Sequence, residues 1–435
     1  MPTKPSLVQR LKWKNEYLGY LFAEGVLRLL SPTGVDRLGR GVGRILYYLS
    51  PSLKIRVRRN LRIAFGKELS PSDIDSMVRT TCERNITNFL AAVKTATLTS
   101  DEAFSCVSLE GFEEVRKILE TGSGAILLLG HLGNWEMLNR LHQILPPGGQ
   151  AGGIYQPLKN PHVDRRIYKQ RTQDGSQLFS KRDGFHRPAQ FVKEGGLLIV
   201  VGDQKVTNQG SVVPFFNRLS SLSTLPSILA RKAKVPVFTV GIHTTAPARW
   251  KFVFKALAKG ASLTEQMAQL EAHIRVSPCD YLWFHNRWKL TRSFPLSFNT
   301  RRLANLPSDT IPLRLLIIST DSQLNLPELS KQLSSTARVQ DLPLKLETLI
   351  ITEQPCEETS GKNTNYLVSP TKEQVMNTIR DLDSSQPHPM EGIILAEPNS
   401  DWLWAAKCSE VPFRTVNQTR LPLVEYISSL RSPEK

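Results

Sequence analysis

At 435 residues, with 40% of them hydrophobic, the chain is too long for a single small core and too apolar for a disordered polymer. Five scattered cysteines, Cys82, Cys106, Cys279, Cys356 and Cys408, form no C-x-x-C pair, which excludes a disulfide framework or zinc module of the usual spacing and favours a reducing compartment. The net charge of +17 calls for an acidic partner, and it is unevenly placed: residues 311–435 hold 12 Lys and Arg against 16 Asp and Glu, so residues 1–310 carry +21.

The N-terminus has no signal-peptide pattern and no apolar run of the length a spanning helix needs. Instead Lys4, Arg10, Lys12 and Lys14 lead into Tyr17 to Leu30, an aromatic and leucine-rich stretch broken by Glu24 and Arg28. That order suits a helix lying in a membrane interface with its cations on anionic headgroups, or an ordinary amphipathic helix packed on a core. Arg37, Arg40, Arg44, Lys54, Arg56, Arg58, Arg59 and Arg62 continue the basic series. No RNA-binding signature accompanies them, so an anionic membrane ranks above nucleic acid.

Ser70-Pro71 predicts the start of a helix reaching about Lys94. From Gly124 the pattern changes to short continuous apolar runs, at 125–129, 197–201 and 235–240, the mark of buried strands, with an alternating run at 250–254 that suits an edge. Asn299 to Asp309 reads as a linker. Beyond it, runs at 313–318, 346–351 and 392–395 predict a second α/β unit whose function is not legible. The expected division is therefore a membrane-associating helical region at 1–98, an α/β core at 99–298 and a small α/β appendage at 311–435.

The first buried run ends at Gly130-His131-Leu132-Gly133-Asn134-Trp135-Glu136, after which Met137 to Leu145 reads as a helix capped by Asn134. A carboxylate on one imidazole nitrogen fixes the tautomer and supports the cation formed when the other nitrogen takes a proton, which is what an alcohol needs to become a nucleophile. His131 and Glu136 are the candidate pair. A lone His and Glu is a poor match to zinc-ligand spacing.

His131 through Glu136, set between a strand and a helix, resembles the lipid A biosynthesis (lauroyl and myristoyl) acyltransferases of the wider lysophospholipid acyltransferase superfamily. The resemblance continues in order through Arg58-Arg59-Asn60-Leu61, Tyr155 to Pro161, Arg171 with Gly175, Gly202-Asp203-Gln204, Val213-Pro214-Phe215-Phe216 and Tyr281 to Lys289, covering roughly residues 10 to 295. It implies a glycerolipid-acyltransferase-like sheet flanked by helices. It also implies transfer of an acyl chain, without metal or organic cofactor, from acyl carrier protein or acyl-CoA to a hydroxyl of a lipid A precursor at the cytoplasmic face of the bacterial inner membrane. Other acceptors, namely a glycerophospholipid, an aminolipid or a mannoside, and a non-catalytic membrane-bound protein of the same fold, stay open.

By the same resemblance His131 is the general base and Glu136 its orienting acid. Arg171 is assigned to oxyanion stabilisation or acceptor phosphate, and Asn134, Lys159, Asp203 and Gln204 to substrate contact. Lys159 and Arg182 equally suit solvated charge. Phe215 and Phe216 suit either the lining of an acyl groove or simple core or membrane contact, and Trp283, His285, Arg287 and Trp288 are expected to pack around the site. Asn217 stands where the family usually continues Pro-Phe-Phe with glycine, so a different local turn is expected there.

Overall fold

The computed structural model describes residues 5–140, 142–180, 184–204, 206, 210–285, 287–288, 313–322, 324, 326–335, 344–354, 363–386, 388–397, 399–409 and 411–415. Lys4, Arg182, Cys356 and the linker expected at Asn299 to Asp309 lie outside them. The chain divides into two compact units, and neither is a continuous stretch of sequence. The first comprises Met1–Lys54, Ser76–Gln204 and Leu222–His285, and the second Ile55–Asp75, Lys205–Ser221 and Asn286–Lys435.

The first unit begins with α1 (Leu7–Leu29), whose N-cap Ser6 accepts from the Gln9 amide, and α2 (Pro32–Leu49), capped by Ser31 with proline in its first turn. After α3 (Pro51–Phe65), which belongs mainly to the second unit, α4 (Pro71–Thr95) returns to the first. Helix α2 is built inside out. A Cβ at Gly39 would lie 2.5 Å from the Cα of Thr87, and one at Gly43 2.5 Å from that of Glu83, so these glycines let α2 press onto α4. Leu38, Val42, Ile45 and Leu49 on the same helix are exposed.

Next come α5 (Ser100–Phe104), β1 (Val107–Glu110), α6 (Phe112–Glu120), β2 (Ala125–Leu129), β3 (Ala151–Tyr155), α7 (Pro161–Arg171), β4 (Gln177–Ser180), α8 (His186–Lys193) and β5 (Leu197–Val201). The hairpin β6 (Ser211–Phe215) and β7 (Arg218–Leu222) comes after them, then α9 (Leu225–Ala233), β8 (Val237–Ala246), β9 (Arg249–Ala256) and α10 (Leu263–Val276). Seven strands make one sheet in the order β1-β9-β8-β2-β5-β3-β4, with parallel pairs except where β8 meets β9. The run at 250–254 is thus not the edge, because the four-residue β1 pairs outside it. The β2 residues are buried throughout, and Leu127, Leu129, Phe238, Val240, Phe252 and Trp250 share a core with α6 residues Phe112 and Val115.

The turn of the β6–β7 hairpin is Phe216-Asn217, with φ of 51° and 58°. Two consecutive positive φ angles give the type I′ geometry that matches strand twist, and asparagine tolerates the left-handed position where the family places glycine. Phe216 accepts the strained conformation while packing edge-on to Phe65 and Phe215. Both phenylalanines are fully buried in the second unit, so of the readings open to this aromatic pair it takes core packing.

The second unit contains β10 (Leu313–Ser319), α11 (Leu326–Ser335), β11 (Leu344–Thr352), β12 (Thr364–Val368), α12 (Lys372–Ser384), β13 (Gly392–Leu395), α13 (Ser400–Cys408) and β14 (Phe413–Thr415). Its five-stranded sheet is wholly parallel in the order β12-β11-β10-β13-β14, the doubly wound arrangement. Leu316, Ile318, Leu349, Ile393 and Leu395 form its core with Val375 and Ile379 of α12. A buried fork between Arg314 and Glu347, at 2.8 and 2.9 Å, neutralises two charges beneath the sheet.

Candidate active site

The site is fixed by strand register. Strands β2 and β5 are parallel neighbours with Leu129 opposite Val201, so the residues two positions beyond each end, His131 and Asp203, stand level. Asp203 is fully buried and accepts hydrogen bonds from the His131 amide at 2.9 Å, from the Tyr281 hydroxyl at 2.9 Å, and at 2.7 Å from His131 Nδ1 in the tautomer that donates there. The opposite ring nitrogen, Nε2, faces the side-chain amide of Gln204 at 3.2 Å. The carboxylate on His131 is therefore Asp203 rather than the Glu136 of the sequence expectation.

Small residues make this approach possible. A Cβ on Gly130 would come within 3.2 Å of Asp203 Oδ2, and one on Gly202 within 2.4 Å of Leu128. Gly133 has a φ of 60° and would bring a Cβ to 2.5 Å from the Ile242 carbonyl. From the other side, the segment 280–282 clamps the turn. Gly133 N–H donates to the Asp280 carbonyl at 3.1 Å, Leu282 N–H donates to the His131 carbonyl at 2.9 Å, and Leu132 bridges Tyr281.

The turn does not lead into the expected α-helix. Trp135–Arg140 and His142–Ile144 are short 3-10 segments, and Asn134 supplies no side-chain cap. It is almost fully buried, and its Nδ2 donates to Thr95 Oγ1 at 3.2 Å. The tighter winding carries Glu136 away from His131 and onto Arg171 at the end of α7. The guanidinium meets both carboxylate oxygens, Nε to Oε2 at 2.8 Å and Nη2 to Oε1 at 2.5 Å. Burial alone pulls Arg171 down, but the paired hydrogen bonds and charge of Glu136 outweigh it, so its pKa is raised. Both side chains remain about a quarter exposed, leaving Arg171 Nη1 outside the pair with Glu136.

His131 is bordered by aromatic rings. Trp135 stands edge-on at 5.0 Å between centroids and His285 at 5.1 Å, while Phe89 continues the wall against Trp135. His131, Asp203, Gln204, Tyr281 and His285 thus come together, Glu136 pairs with Arg171 of α7 as a second group, and Lys159 sits exposed before α7. Tyr281 was missed as an individual residue. Its signal was its place in the collinear block beginning at Tyr281. The arrangement can hold an imidazole in one tautomer, with its proton-accepting nitrogen facing the Gln204 amide.

Comparison with known proteins supplies the family. The family model described as bacterial lipid A biosynthesis acyltransferase matches residues 4–290. A phosphatidylinositol mannoside acyltransferase of Mycolicibacterium smegmatis is 21% identical over 243 residues, covering 54% of this chain and 79% of that protein. Among solved structures, crystal structure II of MurF from Acinetobacter baumannii aligns over 79% of this chain and 80% of that one at 11% identity, but its TM-score of 0.18 supports no structural argument. With the family model spanning the sheet, the strand-end histidine and the clamping segment alike, the chain belongs to the bacterial lipid A biosynthesis acyltransferase family and is an acyltransferase.

Proposed function

We propose that the chain moves a fatty acyl group from an acyl carrier protein or coenzyme A thioester to a hydroxyl of a lipid A precursor. The hydrogen bond between His131 Nδ1 and Asp203 carries this reading, because it leaves Nε2 as the base. An acceptor hydroxyl displaces Gln204 from Nε2 and gives up its proton there while its oxygen attacks the thioester carbonyl. The oxyanion collapses, the C–S bond breaks, and the departing thiolate takes the proton from the imidazolium. Asp203 holds the ring and stabilises its transient charge, as a buried carboxylate does in hydrolase triads. Glu136 fixes Arg171 beside the site, leaving Nη1 for the oxyanion or an acceptor phosphate.

Membrane docking belongs to the same proposal. Leu11, Leu18, Phe22 and Leu29 recur at intervals of four and seven on α1, and Leu38, Val42, Ile45 and Leu49 lie three or four residues apart on α2; all eight are exposed. Arg10, Lys12, Lys14, Arg37, Arg40 and Arg44 accompany them on these helices. An outward apolar stripe with a basic rim suits shallow insertion into an anionic bilayer. Glu24, one of the two charges that break the apolar run in sequence, is buried against Arg166 of α7 and so lies away from the exposed stripe. Among the described residues no helix is long and apolar enough to cross a membrane; the attachment proposed here is peripheral or monotopic, at the cytoplasmic face of the inner membrane.

The mannoside acyltransferase relative favours a second reading, in which the acceptor is another glycolipid hydroxyl. Lipid mass spectrometry of cells with and without the gene separates the two: loss of one acyl chain from lipid A supports the first, and an altered phospholipid or mannoside profile with intact lipid A overturns it. With purified protein, His131→Ala is expected to stay folded and to lose about 10⁴-fold in acyl transfer. Undiminished transfer sinks the assignment of the base.

A further inference from the structure

The second unit contains a cavity of about 370 Å³ whose wall includes Arg58, Arg59 and Arg62 of α3 and Arg380, Asp383 and Ser384 of α12. Four arginines and one carboxylate line it, and that carboxylate is already engaged. Asp383 Oδ2 accepts from Arg62 Nη1 at 2.7 Å and Oδ1 from the Met390 amide at 2.6 Å. Arg59 donates to the Met390 carbonyl but stands 3.7 Å from Oδ1, Arg62 also donates to the Asp383 carbonyl, and Arg58 is paired outward with the half-exposed Asp75. Arg380 directs one donor to the Cys408 carbonyl, and among the described residues it has no carboxylate within ion-pair distance. Burial pulls the Arg59 pKa down, as expected for a guanidinium whose countercharge is shared with Arg62.

We propose that this cavity is a binding site for a phosphate group. Guanidinium forks match phosphate oxygens two at a time, and a phosphate supplies the negative charge that one saturated carboxylate does not. The volume exceeds that of a phosphate ion and lies at the lower end of small-molecule pockets, so a phosphomonoester or diphosphate with a modest organic group fits. Half of the lining comes from α3, inside the family-matched residues 4–290, and the rest from α12 and from Ser409 after α13, beyond them. A chain that ended near residue 290 would lack Arg380 and Asp383, so this site depends on the appendage. Phosphate chemistry of this kind is presented both by soluble metabolites and by anionic lipid headgroups.

Calorimetry on the full chain with inorganic pyrophosphate, at low and moderate salt, tests the site. Arg58 and Arg380 lie at the rim, so the double variant Arg58→Gln, Arg380→Gln is expected to fold and to bind pyrophosphate at least tenfold more weakly. Asp383→Asn keeps an acceptor for the Met390 amide but removes the competing charge, and is expected to bind at least threefold more tightly. Flotation with phosphatidylcholine vesicles, with and without phosphatidic acid, identifies the source. Pyrophosphate binding that the double variant loses points to a soluble ligand, and a loss confined to phosphatidic acid vesicles points to a headgroup. Pyrophosphate and vesicle binding both indifferent to the rim substitutions, or Asp383→Asn binding no more tightly than the parent chain, overturns the proposal.

Discussion

The two sheets of this molecule end in the same clasp and do different things with it. In the first unit Leu129 of β2 lies opposite Val201 of β5, and two residues further on the His131 amide donates to Asp203 at 2.9 Å. In the second, Ile318 of β10 lies opposite Leu395 of β13, and two residues further on the Thr320 amide donates to Glu397 at 2.8 Å. Adjacent parallel strands therefore bring a carboxylate to a backbone N–H at the carboxyl edge of each sheet, where open α/β folds place their ligands. The difference lies in the side chain beside it. An imidazole at 131 turns the clasp into a candidate base, whereas at 319–320 hydroxyls only satisfy the acid, with Ser319 Oγ donating to Glu397 at 3.2 Å. The clasp alone makes no catalyst.

That comparison can be broken or sharpened by experiment. Beyond the loss expected for His131→Ala, Asp203→Asn is expected to lower kcat for acyl transfer about 10³-fold with little change in KM, because the substituted amide no longer fixes the productive tautomer. Steady-state kinetics on vesicles checks this, and a KM effect alone would contradict the role.

Each unit also holds a histidine, His273 in the first and His388 in the second, whose pKa burial pushes down to about 4. Above pH 6.5 both the folded and unfolded chains keep these rings neutral. Below it the unfolded chain takes protons that the folded one refuses, so stability falls between about pH 6.5 and 4, by up to ~3 kcal/mol for His273. Thermal melts from pH 7 to 4.5 should show the decline, and His273→Gln should flatten it.

Smaller effects separate the remaining acids. Glu136→Gln should cost about tenfold in transfer, since Arg171 keeps an amide partner and His131 keeps Asp203; a loss matching that of Asp203→Asn would return the orienting role to Glu136. Glu397→Gln should leave transfer within about twofold while lowering the stability of the second unit by about 1 kcal/mol. A large activity loss there would mean that the second clasp takes part in the reaction.

The sheets were largely legible in the sequence, because continuous apolar runs such as 125–129, 197–201 and 392–395 have few ways to be buried other than as covered parallel strands. The helix at Pro71–Thr95 was equally plain from its serine and proline start. Less legible were features set by register and by three-dimensional pairing. Glu136 lies five positions from His131 in sequence and Asp203 seventy-two, and spacing favours the near one. Only the alignment of β2 with β5 brings the distant one onto Nδ1. The discontinuous second unit was hidden for the same reason. Arg62 of α3, in sequence part of the basic series assigned to an anionic membrane, pairs with Asp383, and Arg218 of β7 pairs with Glu391, both far along the chain.

The level placement of His131 and Asp203 has a consequence for how such a protein can change over generations. Side chains within β2 and β5 can be exchanged for others of similar bulk, with a modest penalty for each imperfect fit. A single codon gained or lost between Leu129 and His131, or between Val201 and Asp203, is different in kind. It would rotate the imidazole or the acid to the opposite side of its strand, and no compensating substitution nearby could restore it. Length between strand and site is the inherited quantity that this architecture can least tolerate varying.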